Sequence, residues 1–129
     1  QRLYPECDFQ RVILKTQSGS PEEIHKCLHE YLEQNEFDIA FTPNYKVGII
    51  FNHQYTMKYG YTLPLKIKHI CISGFSILEW GFPTISSLNI PLRSIGKFSA
   101  QLMQSIIENR AYSQQTFSSS LVHRDSTLL

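Results

Sequence analysis

Two histidines spaced one helical turn apart are the first residues whose types suggest chemistry. His25 and His29 would lie on one helix face and could share a metal ion. The residues between them lack the glutamate of a zinc-protease helix, and no third ligand is near in the sequence. Solvated helix positions explain both residues more simply. Cys71 lies among strand residues, which favours a small core side chain over a nucleophile. The sequence predicts no metal site and no cofactor.

Other catalytic patterns are incomplete in this sequence. The run Ser73, Gly74, Phe75 lacks the G-x-S-x-G pattern of a nucleophile elbow. Glu36 and Asp38 precede a predicted strand, at the end opposite the edge where open α/β sheets bind ligands. None of the glycines forms a loop that could hold a phosphate. We therefore expect no enzymatic activity, and an α/β enzyme of nucleotide or sugar metabolism remains the more distant alternative.

Strand and helix signals alternate along the chain. Ser20, Pro21 and Glu23 form a helix start, because the serine oxygen can accept from free backbone N–H groups of the first turn. Apolar runs separated by amphipathic segments are typical of a parallel sheet flanked by helices. The predicted class is α/β, a Rossmann-like lobe. Strands are predicted at residues 11–15, 38–42, 69–73, 85–88 and 115–123, and helices at 21–34, from about 45 to a stop at Gly60, and at 92–108.

Composition limits the partners of this chain. Its 129 residues suffice for one domain, and a net charge of +1 gives no field that would attract nucleic acid. Cys7, Cys27 and Cys71 cannot all pair and form no C-x-x-C motif, which favours a reducing cytoplasm. No apolar run reaches the roughly 20 residues of a membrane span. Because the chain opens at Gln1 in mid-pattern, we interpret it as a fragment.

A ligand pocket is predicted at the carboxyl ends of the strands, where open α/β sheets bind their ligands. A pyranose face could stack on Tyr45 or Trp80 while Asn44 and Glu79 bond its hydroxyls. In the simpler interpretation, Phe75 and Trp80 only cover the strand ends. The candidate ligand-binding residues are Gln17, Asn44, Tyr45, Phe75, Ser76, Glu79 and Trp80.

Four stretches resemble the LacI/GalR family of bacterial transcription regulators, in the order and at about the spacing of that family. The first is residues 41–47 with Gly60 and Pro64, and the second is residues 70–75. The third and most specific contains Ser86, Ser87, Pro91, Ile95, Gly96, Ala100 and Leu102. The fourth contains Leu121, Arg124, Ser126 and Thr127.

The resemblance implies a two-lobed, periplasmic-binding-protein-like core that is present here only in part. Residues 9–90 and 115–127 would belong to the C-terminal lobe, and 91–114 would cross to the N-terminal lobe. The DNA-binding headpiece and the opening strand and helix of the second lobe would be absent. The segment would serve effector binding and oligomerisation in a ligand-responsive regulator. It would contact DNA only through the missing headpiece, and no membrane.

Two positions depart from the family pattern. Family members commonly hold sugar hydroxyls with carboxylates at the places that Tyr45 and Ser76 occupy here. The resemblance therefore implies a small-molecule effector, possibly a sugar, that is bound without this carboxylate pair. A periplasmic-type solute-binding lobe is the alternative function. The unpaired cysteines and the terminal Arg-x-Ser-Thr match argue against it.

A crossing helix without its partner lobe would expose apolar side chains to solvent. This prediction concerns Ile95, Phe98, Leu102 and Ile106. We expect self-association, most simply a homodimer.

Overall fold

The computed structural model describes residues 18–128. The strand predicted at 11–15 and the candidate site residue Gln17 lie outside the described residues. Within them, no helix is long and apolar enough to span a membrane. The elements are α1 (Pro21–Gln34), β1 (Ile39–Thr42), α2 (Tyr45–Tyr59), β2 (Lys68–Ile72), a 3₁₀ turn (Ser76–Glu79), β3 (Ser86–Asn89), α3 (Leu92–Ile107), β4 (Ser120–Val122) and a second 3₁₀ turn (Asp125–Thr127).

The strands form one sheet in the order β1-β2-β3-β4. The β1–β2 and β2–β3 pairs are parallel, whereas β4 pairs antiparallel with β3. The predicted α/β class is confirmed, with a mixed rather than wholly parallel sheet. The last strand is much shorter than the predicted 115–123. It runs antiparallel because the chain leaves the carboxyl end of β3 through α3 and returns to that end, where Ser120 pairs with Asn89.

The helix ends follow the capping residues seen in the sequence. The Ser20 hydroxyl accepts a hydrogen bond from the Glu23 backbone N–H (3.3 Å), and the Glu23 carboxylate accepts from the backbone N–H of Ser18 (2.9 Å). These contacts satisfy donors that a helix start leaves free. Gly60 ends α2 with φ +74°, a left-handed conformation that glycine adopts without a Cβ clash.

The core lies between the two packed helices α1 and α2 and one face of the sheet. Gly48 permits close approach, since a Cβ there would lie 2.9 Å from Sγ of Cys71 and 3.1 Å from Oγ1 of Thr42. Helix α2 can therefore rest directly on β1 and β2. The main cluster of buried apolar side chains is Leu28, Leu32, Phe51, Tyr55, Leu65 and Ile67.

The opposite face of the sheet is open in the described part of the chain. Ile39 and Phe41 of β1 are 55% and 60% exposed, and Ile72 and Leu121 are also exposed. The burial pattern of β1 and β2 alternates accordingly, with inner residues covered by α2 and outer residues in solvent. Parallel sheets are normally covered on both faces. Among residues 18–128, elements cover only one of the two faces.

Helix α3 contributes little to this core. None of its residues is buried, and it makes no extensive packing contact with the other described helices or strands. Phe98 packs edge-to-face on Phe117, with 5.8 Å between ring centroids. Of the residues predicted to face solvent, Ile106 is exposed, whereas Ile95, Phe98 and Leu102 are half-buried. The helix has an apolar side that the described residues leave uncovered.

Two glycine-to-alanine substitutions test the close approach of α2. Gly48→Ala should lower the free energy of unfolding by about 1–3 kcal/mol, because the new methyl group overlaps buried strand atoms. Gly96→Ala is the matched control in α3, where an added Cβ meets nothing within 4 Å. It should leave stability unchanged or raise it by up to about 1 kcal/mol through helix propensity. Urea unfolding measures both, and equal effects would contradict the packing described.

Candidate ligand-binding site

The carboxyl ends of β1 and β2 place two predicted site residues side by side. Because the strands are parallel and Thr42 is in register with Cys71, the segments that follow them emerge at one edge. Tyr45 begins α2 and Phe75 follows β2. Their rings lie 4.9 Å apart between centroids at an interplanar angle of 58°. Together they form a partly exposed aromatic pair at this edge.

Asn44 directly precedes Tyr45 in the chain and is the N-cap of helix α2. Its Oδ1 accepts a hydrogen bond from the Val47 backbone N–H at 3.1 Å, which caps α2. The residue is exposed, so the remaining amide group is accessible at the site edge. A ligand at this edge would therefore meet chiefly the Nδ2 donor of Asn44.

The chain after β2 runs close to the chain after β3. A Cβ on Gly74 would lie 2.8 Å from the backbone oxygen of Ile90, so only glycine fits between the two segments. This contact brings Phe75 and Ser76 near the end of β3, where Asn89 accepts a hydrogen bond from Oγ of Ser87 (2.7 Å). Sequence reasoning missed Asn89. The available signal was its position at the carboxyl end of a predicted strand.

The structure does not bring Glu79 to the same edge. The loop after Phe75 runs back along the sheet, and the backbone N–H of Ile85 donates to the oxygen of Leu78 at 2.9 Å. Glu79 thus lies at the amino-terminal end of β3, where its carboxylate is 2.6 Å from the Arg124 guanidinium. One carboxylate oxygen is already committed to this ion pair. Trp80 follows it and is 82% exposed.

Several residues that carry the family resemblance form one hydrogen-bond network near Glu79. The Arg124 guanidinium donates to the backbone oxygen of Ile85 (2.8 Å) and to Oγ of Ser87 (2.9 Å). The buried Ser126 hydroxyl accepts from the backbone N–H of Ser86 (2.8 Å) and donates to the backbone oxygen of His69 (2.5 Å). This network fastens the chain terminus to β2 and β3. Through Ser87, whose Oγ donates to Oδ1 of Asn89, the network extends along β3 toward the candidate site.

His69 is buried in the core, with Nε2 2.9 Å from Oγ1 of Thr42 and its ring 4.6 Å from the Phe51 ring. Its Nδ1 has no hydrogen-bond partner among the described residues. Burial lowers the pKa of His69 to about 3. Burial also raises the pKa of the Cys71 thiol, which agrees with a core role for that cysteine.

Comparisons with known proteins agree on one kind of structure. The Escherichia coli transcriptional repressor AscG matches with a TM-score of 0.71 at 20% identity, over 86% of this chain and 41% of that one. The described chain has the fold of LacI-family transcription regulators. A LacI-family regulator from Bifidobacterium animalis matches with a TM-score of 0.73 at 19% identity, over 84% of this chain and 41% of its own.

A third LacI-family structure, from Arthrobacter sp. FB24 in complex with lactose, matches with a TM-score of 0.70 at 21% identity, over 85% and 42% of the two chains. This chain thus spans about two fifths of the LacI-fold structures it matches. No protein-family model matches the sequence, and no curated protein matches it. The predicted resemblance is confirmed as a likeness of fold.

The buried His69 predicts acid sensitivity. With a folded-state pKa of about 3 and an ordinary value of 6.5, only the unfolded chain gains a proton between these pH values. Stability should be complete above pH 6.5 and fall toward pH 3, by at most about 1.4 kcal/mol per pH unit from this residue. Unfolding of His69→Leu should depend less on pH than that of the wild type. His123→Gln, which changes an exposed histidine, is the control and should keep the pH dependence of the wild type. If the stability of His69→Leu falls with pH as steeply as that of the wild type, His69 is not the cause of the acid sensitivity.

Proposed function

We propose that this chain is the larger part of one lobe of the ligand-binding core of a LacI-type transcription regulator. The observation that carries the proposal is the Tyr45–Phe75 ring pair at the carboxyl edge of parallel strands, in a chain with the LacI fold. Ligands of open α/β sheets bind at this edge. Residues 18–90 and 115–127 belong to the C-terminal lobe in this proposal, and α3 crosses to the other.

The groups at this edge suit a neutral, polyhydroxylated ligand with a flat apolar face. The aromatic pair offers a stacking surface, and Asn44, Ser76 and Asn89 offer hydrogen-bonding groups around it. Glu79 is paired with Arg124 at the other end of β3, so the edge has no carboxylate among these residues. A sugar fits this chemistry, and the similar Arthrobacter structure was determined with lactose.

The proposed activity is regulation without catalysis. A ligand held between two lobes favours the closed form only if it binds that form more tightly than the open one. Closure would change how a homodimer presents DNA-binding headpieces that lie outside this chain. A regulator of this kind would act in the cytoplasm. The similar structures named above are transcription regulators, which supports this function over transport of a solute.

The uncovered apolar surfaces agree with a partial core. The outer sheet face exposes Ile39 and Phe41, and α3 exposes Ile106, and clustered exposed apolar side chains are typical of contact surfaces. We propose that the remaining lobe segments and a second subunit cover them in the longer protein.

A ligand screen on the longer protein that contains this segment tests the proposal. Sugars, nucleobases and amino acids are added singly, and a ligand at 100 times its dissociation constant should stabilise the protein by about 2.7 kcal/mol in thermal unfolding. Tyr45→Ala and Phe75→Ala should each weaken the bound compound about tenfold, since each removes half of the stacking surface.

Two variants of the remote candidate residues are the controls. Glu79→Gln and Trp80→Ala should leave ligand affinity unchanged, because the Glu79 carboxylate is paired with Arg124 and the Trp80 side chain is 82% exposed. Loss of binding in these variants with full binding in Tyr45→Ala would place the pocket elsewhere. If no compound of any class binds, the ligand-responsive function is wrong.

A further inference from the structure

The packing of α1 against α2 brings together two histidines that are 28 residues apart. His25 lies on α1 and His53 on α2, and both are exposed. The Nε2 atom of His25 is 3.4 Å from Nδ1 of His53, and the ring centroids are 5.5 Å apart. A separation of 3.4 Å is long for a hydrogen bond between ring nitrogens. The two nitrogens nevertheless approach each other closely, and the ring planes are tilted by 44°.

This separation matches the geometry of two ligands on one metal ion. Imidazole nitrogens bind Zn²⁺ at about 2.0–2.1 Å, so two of them at a tetrahedral angle lie about 3.3–3.4 Å apart. We propose that His25 and His53 form a binding site for a divalent cation of the zinc class, joining α1 to α2. Neutral imidazoles donate the lone pairs of Nε2 of His25 and Nδ1 of His53. Nδ1 of His25 then carries the proton, so its 2.7 Å contact with the Gln54 amide nitrogen must change when the ion binds.

The surroundings leave room for the other coordination positions. His25 lines an open cavity of about 340 Å³ together with Pro21, Glu22 and Ile50. Both imidazole rings are exposed, so water molecules can complete the coordination of the ion. Among residues 18–128 no group of three or more histidine, cysteine, aspartate or glutamate side chains is arranged to hold a metal. The site therefore has two protein ligands and binds more weakly than a closed four-ligand site.

The helices hold the pair in place without the metal. Leu28 and Leu32 of α1 pack with Phe51 and Tyr55 of α2 in the main core cluster. The backbones that carry the two rings are thus fixed before the ion binds, which limits the entropy lost on binding.

The contacts of Gln54 determine which histidine can share a metal ion with His25. Its Oε1 is 3.2 Å from Nδ1 of His29, and its buried side chain lies between the two rings on α1. His29 is therefore occupied, although its sequence spacing made it the first candidate partner. Binding at Nε2 of His25 replaces the contact of that atom with the Gln54 amide nitrogen (2.8 Å). The Gln54 amide keeps its contact with the backbone oxygen of His25 (3.3 Å).

Calorimetric titration of the 129-residue chain with ZnCl₂ tests the site. The chain should bind one Zn²⁺, and His25→Asn and His53→Asn should each weaken binding by about tenfold or more, because one of two ligands is lost. His29→Asn and His123→Asn are the matched controls and should bind as the wild type does. Circular dichroism confirms that each variant is folded, which is expected because the substituted side chains are exposed.

Two results would overturn the proposal. Binding that survives in His53→Asn but disappears in His29→Asn would show that the ion uses the pair within α1 instead. No heat of binding to the wild type at millimolar ZnCl₂ would show that there is no site. As a second readout on the wild-type chain, the imidazole proton signals of His25 and His53 should shift with added Zn²⁺ while those of His123 stay constant.

Discussion

Parallel pairing of β1, β2 and β3 is the constraint on which the rest of the structure depends. It places the carboxyl ends of the strands at the same edge of the sheet, so Tyr45 and Phe75 become neighbours although they are 30 residues apart, and Asn89 ends β3 at that edge. The opposite end of the sheet is fastened by Arg124 and Ser126. Arg124 also donates to Oγ of Ser87, which bonds Asn89, so this network supports β3 along its length.

The same sheet is covered on one face only among the described residues. Helix α2 lies directly on the inner face at Gly48, but Ile39 and Phe41 on the outer face remain in solvent. Apolar area of this kind favours any partner that removes it from water. The LacI-fold structures that match are more than twice as long as this chain, which is consistent with such a partner being part of the same protein.

The sequence predicted the elements better than their arrangement. Apolar runs and the caps at Ser20 and Gly60 gave the helices and inner strands within a residue or two, because these signals are local. The antiparallel return of β4 depends on where α3 leads the chain, which no local pattern records. Likewise, Glu79 and Phe75 are four residues apart, yet the Leu78–Ile85 hydrogen bond places Glu79 near the start of β3, where it pairs with Arg124. The contact between His25 and His53 depends on how α1 packs against α2, so local sequence patterns could not predict it either.

The contact between Tyr45 and Phe75 is the most direct point at which to test this account. Nuclear Overhauser spectra of the chain measure it without any ligand. The account predicts cross-peaks between the ring protons of these two residues. Absence of these cross-peaks would contradict the shared edge and with it the proposed binding site.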